Sequence, residues 1–347
     1  MKALFKTKKG FGNVELIDIP EPKCKDIEIK IKIKAIGICG TDLHIYEGSF
    51  PYFNPPVILG HEFSGVIVEI GSNIKNTKNL NIGDKVVVLP SAAVICGNCE
   101  YCRSGNFIFC PARKGMGHGV NGGMTEYICL REELVFKLPE NISFEAGSLV
   151  EPLSCCIQSV DDFVNIIPTQ HCLVSGPGSI GLLILMLLKL RNSNVILAGI
   201  SKDEKRLEVA KELGGDLVLN VEKEDLIAGI YDKFGVKEVD VCFECSGTNK
   251  SLNNCISYLK RMGFLIQVGI FDGEQTIKIN DIVLKQITLF GSLGFTWKSW
   301  LKSLELLKNN KLKLDILITH KYKLDAWKDA FNKAKESESL KVIIEPF

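Results

Sequence analysis

The sequence lacks a strong charge of either sign, and it lacks an apolar run long enough to cross a membrane. Its 42 lysine and arginine residues nearly balance its 41 aspartate and glutamate residues, leaving a formal net charge of +1. With no basic field to draw in a phosphate backbone, nucleic acid is not an expected partner. The most apolar run, 180–188, is too short to span a bilayer and is followed by Lys189. A membrane is therefore not an expected partner either.

A secretory signal and a disulfide framework are also missing. Residues 1–6 lack the long apolar core of a signal peptide. The chain has 13 cysteines, but apart from one tight cluster and Cys39 they are scattered singly or lie in apolar stretches. Lone thiols in a long chain are typical of a reducing compartment, so we expect a cytoplasmic protein. Its 347 residues, 46% of them hydrophobic, are enough for two domains.

The first part of the chain has the pattern of strands. From 27 to 34, isoleucines alternate with charged residues, a period of two that indicates a sheet with one wet face. Further strands are expected at 66–70 and 86–89, each beside a glycine turn. No strong helical period is present here. We predict a β-rich, barrel-like domain over residues 1–150.

Two short segments of this domain bring metal ligands and a base together. Cys39 offers a soft metal ligand, Thr41 a hydroxyl and His44 a base, and further along His61 and Glu62 are adjacent. Cysteine, histidine and carboxylate suit zinc, and three protein ligands that leave a position open make a catalytic site. Taken singly, Cys39 would be a buried thiol and His61 a core histidine. Taken together, they favour a metal centre.

The segment 91–113 has no clear period and contains four closely spaced cysteines. They are Cys96, Cys99, Cys102 and Cys110. Four thiolates at these gaps can close a tetrahedron around zinc and leave no position for substrate. An irregular loop of this length needs a cross-link, and a metal supplies one. The alternatives are an iron–sulfur site or disulfides. Structural zinc is favoured because one small lobe supplies all four thiols in a chain expected in the cytoplasm.

From residue 170 the pattern changes to alternating strands and helices, which predicts a parallel, doubly wound sheet over 151–290. A buried strand at 171–175 runs into a G-x-G-x-x-G turn and then a long apolar helix. In that position the glycines let the backbone approach a pyrophosphate, and the helix N-terminus offers free N–H groups. The candidate cofactor residues in these turns are Gly176, Gly178, Ser179, Ile180, Gly181 and Gly269.

The choice between NAD and NADP depends on the end of the second strand of this sheet. An NAD enzyme has an acidic residue there, which binds the ribose hydroxyls and repels a phosphate. Ser201 takes that position here, and Lys202 and Arg206 lie close enough to pair with a 2′-phosphate. Asp203 and Glu204 weaken the local positive field. We expect NADP(H) to be favoured, with NAD(H) as the alternative.

These motifs resemble the zinc-containing medium-chain dehydrogenases, in the branch of sorbitol (L-iditol) and L-threonine dehydrogenases. The resemblance covers nearly the whole chain, through to Ile-Thr-His at 318–320. It implies a GroES-like catalytic domain, a Rossmann cofactor domain and an active site in the cleft between them. The last part, 291–347, is expected to return to the catalytic domain. Two zinc ions per chain, one catalytic and one structural, and a homo-oligomer, tetramer or dimer, are further expectations.

The resemblance also implies the shell of the catalytic zinc. Cys39 and His61 are expected to be fixed ligands. Glu62, directly or with a bound water, is expected to complete the shell. Glu151, in the segment Glu-Pro-Leu-Ser, lies close and is expected to exchange with Glu62. Which of these groups completes the shell stays open at this point.

The same resemblance implies a proton path. Thr41 is expected to take the substrate proton, and His44 to receive it by way of the nicotinamide ribose and deliver it to solvent. Tyr46 either touches the substrate or packs. His118, in a glycine-rich loop, is expected to be solvated rather than part of the site.

The expected activity is hydride transfer between a secondary alcohol and a nicotinamide cofactor, with zinc acting as a Lewis acid. Glu-Pro-Leu-Ser at 151–154 resembles the polyol enzymes and favours a sugar alcohol or small diol; L-threonine 3-dehydrogenase is the alternative. A binding protein without catalysis and a zinc-free reductase are disfavoured because the ligands and relay residues are all present. A nucleic-acid-binding zinc ribbon is disfavoured by the near-zero net charge.

Overall fold

The computed structural model describes all 347 residues, which form two compact units. Unit 1 comprises residues 1–154 and 296–347, and unit 2 comprises residues 155–295. None of the helices combines the length and the apolarity needed to span a lipid bilayer.

The strands are numbered in chain order. They are β1 (Lys2–Lys6), β2 (Val14–Asp18), β3 (Glu28–Gly37), β4 (Val57–Ile58), β5 (Glu62–Ile70), β6 (Lys85–Val88), β7 (Tyr127–Arg131), β8 (Val135–Lys137), β9 (His171–Ser175), β10 (Asn194–Gly199), β11 (Leu217–Asn220), β12 (Val239–Glu244), β13 (Leu259–Gln267), β14 (Thr288–Gly291), β15 (Ile318–Lys323) and β16 (Lys341–Glu345).

The helices are numbered in the same way. They are α1 (Gly40–Glu47), α2 (Glu100–Arg103), α3 (Phe144–Ser148), α4 (Val150–Asp161), α5 (Ser179–Lys189), α6 (Glu204–Glu212), α7 (Leu226–Phe234), α8 (Asn249–Tyr258), α9 (Ile279–Lys285), α10 (Trp297–Lys308) and α11 (Trp327–Lys335).

Unit 1 is β-rich, as its alternating pattern predicts. A seven-stranded sheet runs in the order β15-β16-β3-β5-β6-β8, with β7 also paired to β3, and a three-stranded sheet runs β2-β1-β4. Along β3, Ile29, Ile31 and Ile33 are fully buried while the charged residues between them are not. The long strand β3 is the centre of this unit, since β5, β7 and β16 all pair with it in antiparallel fashion.

One element of unit 1 differs from the sequence expectation. The segment after β3 forms the short helix α1 where the sequence shows no strong helical period. Cys39 is the N-cap of this helix, and the Asp42 carboxylate accepts a hydrogen bond from the Cys39 N–H at 3.0 Å. Gly48 ends the helix in the left-handed conformation, with φ of 81°. Eight residues closed by these two caps are too few for an apolar period to show.

Unit 2 is a parallel sheet with helices, as the strand–helix repetition predicts. Its six strands run in the order β11-β10-β9-β12-β13-β14, and every pairing is parallel. β9 lies in the middle of the sheet, and later strands are added on both sides of it. The glycine turn after β9 therefore lies at the point where strand order reverses, which is where ligands bind in sheets of this kind.

Candidate metal centres and cofactor site

A first group of metal ligands lies at the carboxyl end of β3 in unit 1. The ligand atoms of Cys39, His61 and Glu62 all lie within 4.8 Å of one another. The strand register explains this arrangement, because Glu62 begins β5 and is paired with Gly37 at the end of β3. Cys39 follows Gly37 by two residues, so the segments that the sequence singled out meet at one corner of the sheet.

Asp42 ties these two segments together, and the sequence reasoning did not assign it a role. Its fully buried carboxylate accepts hydrogen bonds from the N–H of Cys39 at 3.0 Å and of Gly60 at 3.2 Å. His61 Nδ1 lies 3.9 Å from the same carboxylate. Burial raises the pKa of Asp42, against the lowering effect of His61. Asp42 therefore fixes the backbone on both sides of the ligand group.

Lys341 is a second residue that the sequence reasoning missed. Its Nζ lies 2.5 and 2.6 Å from the two carboxylate oxygens of Glu62, and both residues are buried, at 5% and 0% exposure. Burial opposes the charge of Lys341, but Glu62 and Cys39 nearby raise its pKa above the usual value. The available signal was a lysine at the head of an apolar closing strand, a place where a charge needs a partner.

Gly37 provides the space that Glu62 occupies. A Cβ at this position would lie 2.3 Å from Glu62 Oε2, closer than any side chain could tolerate. The carboxylate is thereby pressed against the backbone of β3 on one side and against Lys341 on the other. Glu62 thus lies between Cys39 and His61 on one side and Lys341 on the other.

This group fits a zinc ion. Nδ1 of His61 is buried and has no hydrogen-bond partner, although buried polar atoms are ordinarily satisfied. Burial lowers the pKa of His61, but the charges of Cys39 and Asp42 outweigh this effect and raise it well above the usual value. One thiolate, one imidazole and one carboxylate form the mixed ligand set that zinc accepts at catalytic sites.

The other sequence-predicted residues of this site lie around the group. Thr41 Oγ1 is 3.8 Å from Cys39 Sγ. His44, one turn further along α1, is exposed, with Nδ1 3.4 Å from Ser49 Oγ. Glu151 lies outside the group of three, yet the charges of His61 and Glu62 act on it. Burial is the main cause that raises the pKa of Glu151 to about 7.

His118 and Tyr46, the two aromatic residues considered near this site, have different surroundings. His118 was expected to be solvated, but its ring centroid lies 6.4 Å from that of His61, and burial lowers its pKa to about 3. His118 is therefore half-buried rather than fully solvated, because the loop folds back over Gly60, with the Gly123 N–H donating to the Gly60 carbonyl at 2.9 Å. Its exclusion from the site stays a prediction. Tyr46 packs edge-on against Trp327 and Phe331, which is the packing alternative.

A second group of metal ligands lies in the segment after β6. The sulfur atoms of Cys96, Cys99, Cys102 and Cys110 all lie within 4.8 Å of one another. The Cys96 sulfur is 3.6 Å from that of Cys110 and 4.0 Å from that of Cys102. Four thiolates at about 2.3 Å from one tetrahedral zinc would be separated by about 3.8 Å.

The geometry of this lobe disfavours a disulfide and a cluster of several irons. A disulfide requires sulfurs about 2.05 Å apart, and all four cysteines are free thiols. An iron–sulfur cluster places irons and sulfides between the cysteines and spreads them further. The N–H groups of Asn98 and Cys99 point at the Cys96 sulfur and lower its pKa to about 6, which favours the thiolate that a metal needs.

The predicted glycine turn of unit 2 lies between β9 and α5. Gly176 has φ of 107°, and a Cβ on Gly181 would lie 2.0 Å from the Gly176 carbonyl oxygen. Both positions therefore require glycine, and the helix packs closely against the strand. Gly178 has open space around it, and α5 begins at Ser179, followed by Ile180. Unpaired N–H groups at this N-terminus suit a pyrophosphate.

Gly269 lies at the same edge of the sheet, after β13. A Cβ there would lie 2.4 Å from the Gly247 nitrogen and 2.7 Å from Glu244 Oε2. Glu244, fully buried at the end of β12, accepts hydrogen bonds from the N–H groups of Ser246 and Gly247 and from Gln267. This carboxylate organises the two turns, and the sequence reasoning did not identify it.

The residues expected at the adenosine ribose follow β10. Ser201 and Lys202 are exposed. Arg206 lies in the first turn of α6, with Nη1 3.5 Å from Asp203 Oδ1 and only 19% of its side chain exposed. Of the two predicted cations, Lys202 is therefore the more accessible, because the Arg206 guanidinium lies beside Asp203.

Two protein-family models match the chain, in the order of its two halves. The alcohol dehydrogenase GroES-like domain matches residues 25–140, and the zinc-binding dehydrogenase model matches residues 179–309. Together with the parallel sheet of unit 2, these matches confirm the predicted fold class, a GroES-like domain combined with a Rossmann domain.

Curated relatives align over nearly the whole chain. A sorbitol dehydrogenase of Halalkalibacterium halodurans is 36% identical over 100% of this chain and 99% of its own. A D-arabitol-phosphate dehydrogenase of Enterococcus avium is 35% identical over 99% and 97%. An L-threonine 3-dehydrogenase of Pyrococcus horikoshii is 34% identical over 99% and 98%.

Solved structures agree with these relatives. The 2R,3R-butanediol dehydrogenase of Bacillus subtilis superposes with a TM-score of 0.88 at 31% identity, over 100% of this chain and 99% of that one. A zinc-binding dehydrogenase of Sinorhizobium meliloti, solved with NADP bound, gives 0.89 at 27% identity over 99% of each chain. The chain therefore belongs to the zinc-containing medium-chain dehydrogenases, in the sorbitol and L-threonine dehydrogenase branch, as a nicotinamide-dependent oxidoreductase acting on alcohols or polyols.

Proposed function

We propose that this dehydrogenase oxidises a secondary hydroxyl of a sugar alcohol or small vicinal diol at the group formed by Cys39, His61 and Glu62. The observation that carries the proposal is the convergence of these three ligand atoms within 4.8 Å beside the Thr41 hydroxyl. The sorbitol, D-arabitol-phosphate and butanediol relatives support the substrate class. The threonine relative keeps L-threonine as the second candidate.

In this proposal the chain's own residues hold the site and move the proton. A zinc ion held by the three ligands supplies Lewis-acid chemistry, which makes a substrate hydroxyl easier to deprotonate. The Thr41 hydroxyl would accept that proton while passing its own onward, and the exposed His44 imidazole would deliver a proton to solvent. The carbon that bears this substrate hydroxyl would give its hydride to a bound oxidised nicotinamide. Asp42 holds the backbone of Cys39, and Lys341 with Gly37 holds the Glu62 carboxylate. Glu151, with a pKa raised to about 7, is a reserve ligand that exchanges with Glu62.

We also propose a second, structural zinc at Cys96, Cys99, Cys102 and Cys110. The sulfur spacing and the N–H groups around Cys96 support it. Two zinc ions per chain are then expected. Because the five ligand cysteines of the two sites must stay reduced, the proposed compartment is the cytoplasm.

For the cofactor, we propose a dinucleotide bound at Gly176, Gly178, Gly181 and Gly269, with NADP(H) favoured over NAD(H). The charge of Lys202 and the absence of a carboxylate on Ser201 support this preference. The N-terminus of α5, at Ser179 and Ile180, would hold the pyrophosphate. Arg206 contributes less to binding of the 2′-phosphate, because its guanidinium also lies 3.5 Å from the Asp203 carboxylate.

The proposed assembly is a homo-oligomer, a dimer or tetramer. Strand β14 is the outer edge of the unit 2 sheet, with Leu289 41% exposed. The preceding helix α9 exposes Val283 and Leu284. An uncovered strand edge flanked by large apolar side chains is an association surface, and pairing with a second copy would cover it.

The first test is nicotinamide reduction by the zinc-loaded enzyme. Sorbitol, xylitol, 2,3-butanediol, D-arabitol phosphate and L-threonine would each be supplied with NAD and with NADP. We expect turnover of a polyol or diol, faster with NADP. Turnover of L-threonine alone would replace the proposed substrate class with the second candidate, and no turnover of any hydroxyl compound would refute the proposal.

The second test distinguishes loss of the catalytic zinc from loss of the folded structure. Cys39→Ser should abolish turnover and reduce bound zinc from two ions to one per chain, because it removes a ligand of only one site. Cys24→Ser, in the same unit but outside both groups, is the matched control and should retain both. Full activity of Cys39→Ser would contradict the ligand assignment.

A further inference from the structure

The ribose end of unit 2 contains a carboxylate that the second strand does not supply. β10 and β11 pair in parallel, with Gly199 opposite Asn220, so the turns after both strands meet at one edge. Glu222, two residues after β11, accepts a hydrogen bond from the Ser201 N–H at 2.9 Å. The Ser201 hydroxyl donates to it as well, and this contact is the main cause that lowers the pKa of Glu222.

A small network holds this carboxylate in place. The Glu222 N–H donates to Asn220 Oδ1 at 3.1 Å, and Asn220 Nδ2 donates to Ser201 Oγ at 3.2 Å. Ser201, Asn220 and Glu222 therefore form a closed set of contacts across the two turns. Glu222 is exposed, so the carboxylate is fixed by its partners while its outer face remains open to a ligand.

The position of this carboxylate determines its chemistry. In dinucleotide-binding sheets, the adenosine ribose lies at the end of the second strand, where an acidic side chain binds its hydroxyls and repels a 2′-phosphate. Here the uncharged Ser201 occupies that position. Glu222, which follows the third strand, supplies a negative charge beside it. Lys202, on the same turn as Ser201, is close enough for its charge to act on Glu222.

We infer that Glu222 is a specificity-determining residue of the cofactor site: it accepts the ribose hydroxyls of NAD(H) and opposes the 2′-phosphate of NADP(H). The inference rests on the proposed binding of a nicotinamide dinucleotide to unit 2. The preference for NADP(H) is then a balance between Lys202, which attracts the phosphate, and Glu222, which repels it. We expect the enzyme to accept both cofactors, with a modest preference.

The test is direct titration with NADH and NADPH, followed by the fluorescence of the reduced nicotinamide, without any alcohol present. Glu222→Gln should tighten NADPH, weaken NADH and shift the ratio of the two Kd values by roughly fivefold toward NADPH, the scale of an exposed charge contact. The shift should shrink at high ionic strength, because salt screens exposed charges. Lys202→Gln should shift the ratio in the opposite direction.

Glu224→Gln is the matched control. Glu224 lies two residues away, is exposed, and accepts a hydrogen bond from the Asn220 N–H at 3.0 Å, so its change of charge is the same but it does not contact Ser201. An unchanged ratio in Glu222→Gln, or an equal shift in Glu224→Gln, would overturn the inference while leaving the proposed function intact. Failure of the wild-type protein to bind either nucleotide would instead refute the proposed cofactor site, and the inference with it.

Discussion

Replacement of Lys341 by methionine tests how the candidate catalytic site is held. The change keeps most of the length of the side chain and removes the charge that lies 2.5 and 2.6 Å from the Glu62 oxygens. Both residues are buried, so Glu62 would remain as a carboxylate without its cation. Breaking a buried ion pair from one side costs about 3–5 kcal/mol, because the remaining charge is neither paired nor solvated.

The cost should depend on the metal. In metal-free protein Lys341 is the cation nearest to Glu62, so Lys341→Met should lose about 3–5 kcal/mol in the apparent free energy of unfolding. In zinc-loaded protein, a cation held by Cys39, His61 and Glu62 would compensate the carboxylate, and we expect less than about half of that loss.

Urea unfolding followed by tryptophan fluorescence is a suitable assay. The three tryptophans, Trp297, Trp300 and Trp327, all belong to unit 1, so the signal reports on the unit that contains Glu62. The control is Lys321→Met, from the neighbouring strand β15, which breaks an ion pair with Glu145 whose lysine is 48% exposed. An exposed pair is worth about 0–1 kcal/mol. A Lys341→Met loss as small as the control's, or equal with and without zinc, would refute this reasoning.

Three further predictions concern the ligands and the loops around them. Gly37→Ala should displace Glu62 and reduce bound zinc to one ion per chain, whereas Gly40→Ala, with no atom within 4 Å of its new Cβ, should retain two; equal metal content in the two variants would contradict this. Cys110→Ser should lose the other zinc and make 91–113 sensitive to limited proteolysis, and an unchanged digestion pattern would count against a structural metal. Glu132→Gln should destabilise the protein at neutral pH. Burial raises the pKa of Glu132, but hydrogen bonds from the Thr77 hydroxyl and the Thr77 and Asn76 N–H groups outweigh it and lower that pKa. A lowered folded pKa gives stability that is present above the unfolded value of about 4.3 and is lost as pH falls through the folded pKa. The difference between Glu132→Gln and wild type in urea should therefore shrink below about pH 4, and a constant difference would contradict the assignment.

The sequence was sufficient wherever a local pattern has a local cause. Alternating isoleucines before residue 34 predict β3, because a strand has a period of two. The cysteines at 96–110 predict a single metal lobe, because all four ligands lie within one loop. Gly176 and Gly181 are recognisable because their spacing reflects a steric need within one turn: a Cβ on Gly181 would lie 2.0 Å from the Gly176 carbonyl oxygen.

Several of the residues that the sequence did not reveal depend on contacts between distant segments. Lys341 meets Glu62 only because β16 and β5 both pair with β3, and nothing near residue 341 in the chain resembles a ligand motif. His118 approaches His61 because its loop folds over Gly60, a contact that a glycine-rich sequence does not specify. Glu222 reaches Ser201 because β11 lies beside β10. For Lys341 and Glu222 the missing information is the pairing of the strands, and for His118 it is the path of a loop.

Lys341 also bears on the open question of the zinc shell. Glu62 has two possible cations, a zinc ion on the side of Cys39 and His61, and Lys341 on the other. A carboxylate shared between two cations is bound less tightly by each than one committed to a single partner, so Glu62 can leave the metal without becoming an unpaired buried charge. Burial is the main cause that raises the pKa of Glu151 to about 7, so a proton can neutralise this carboxylate when it is away from the metal. On charge grounds, the exchange of Glu62 and Glu151 at the metal therefore requires Lys341 to receive Glu62. Loss of Lys341 should consequently fix Glu62 on the metal and slow turnover while tightening zinc. Faster zinc release to a chelator from Lys341→Met than from wild type would contradict this argument.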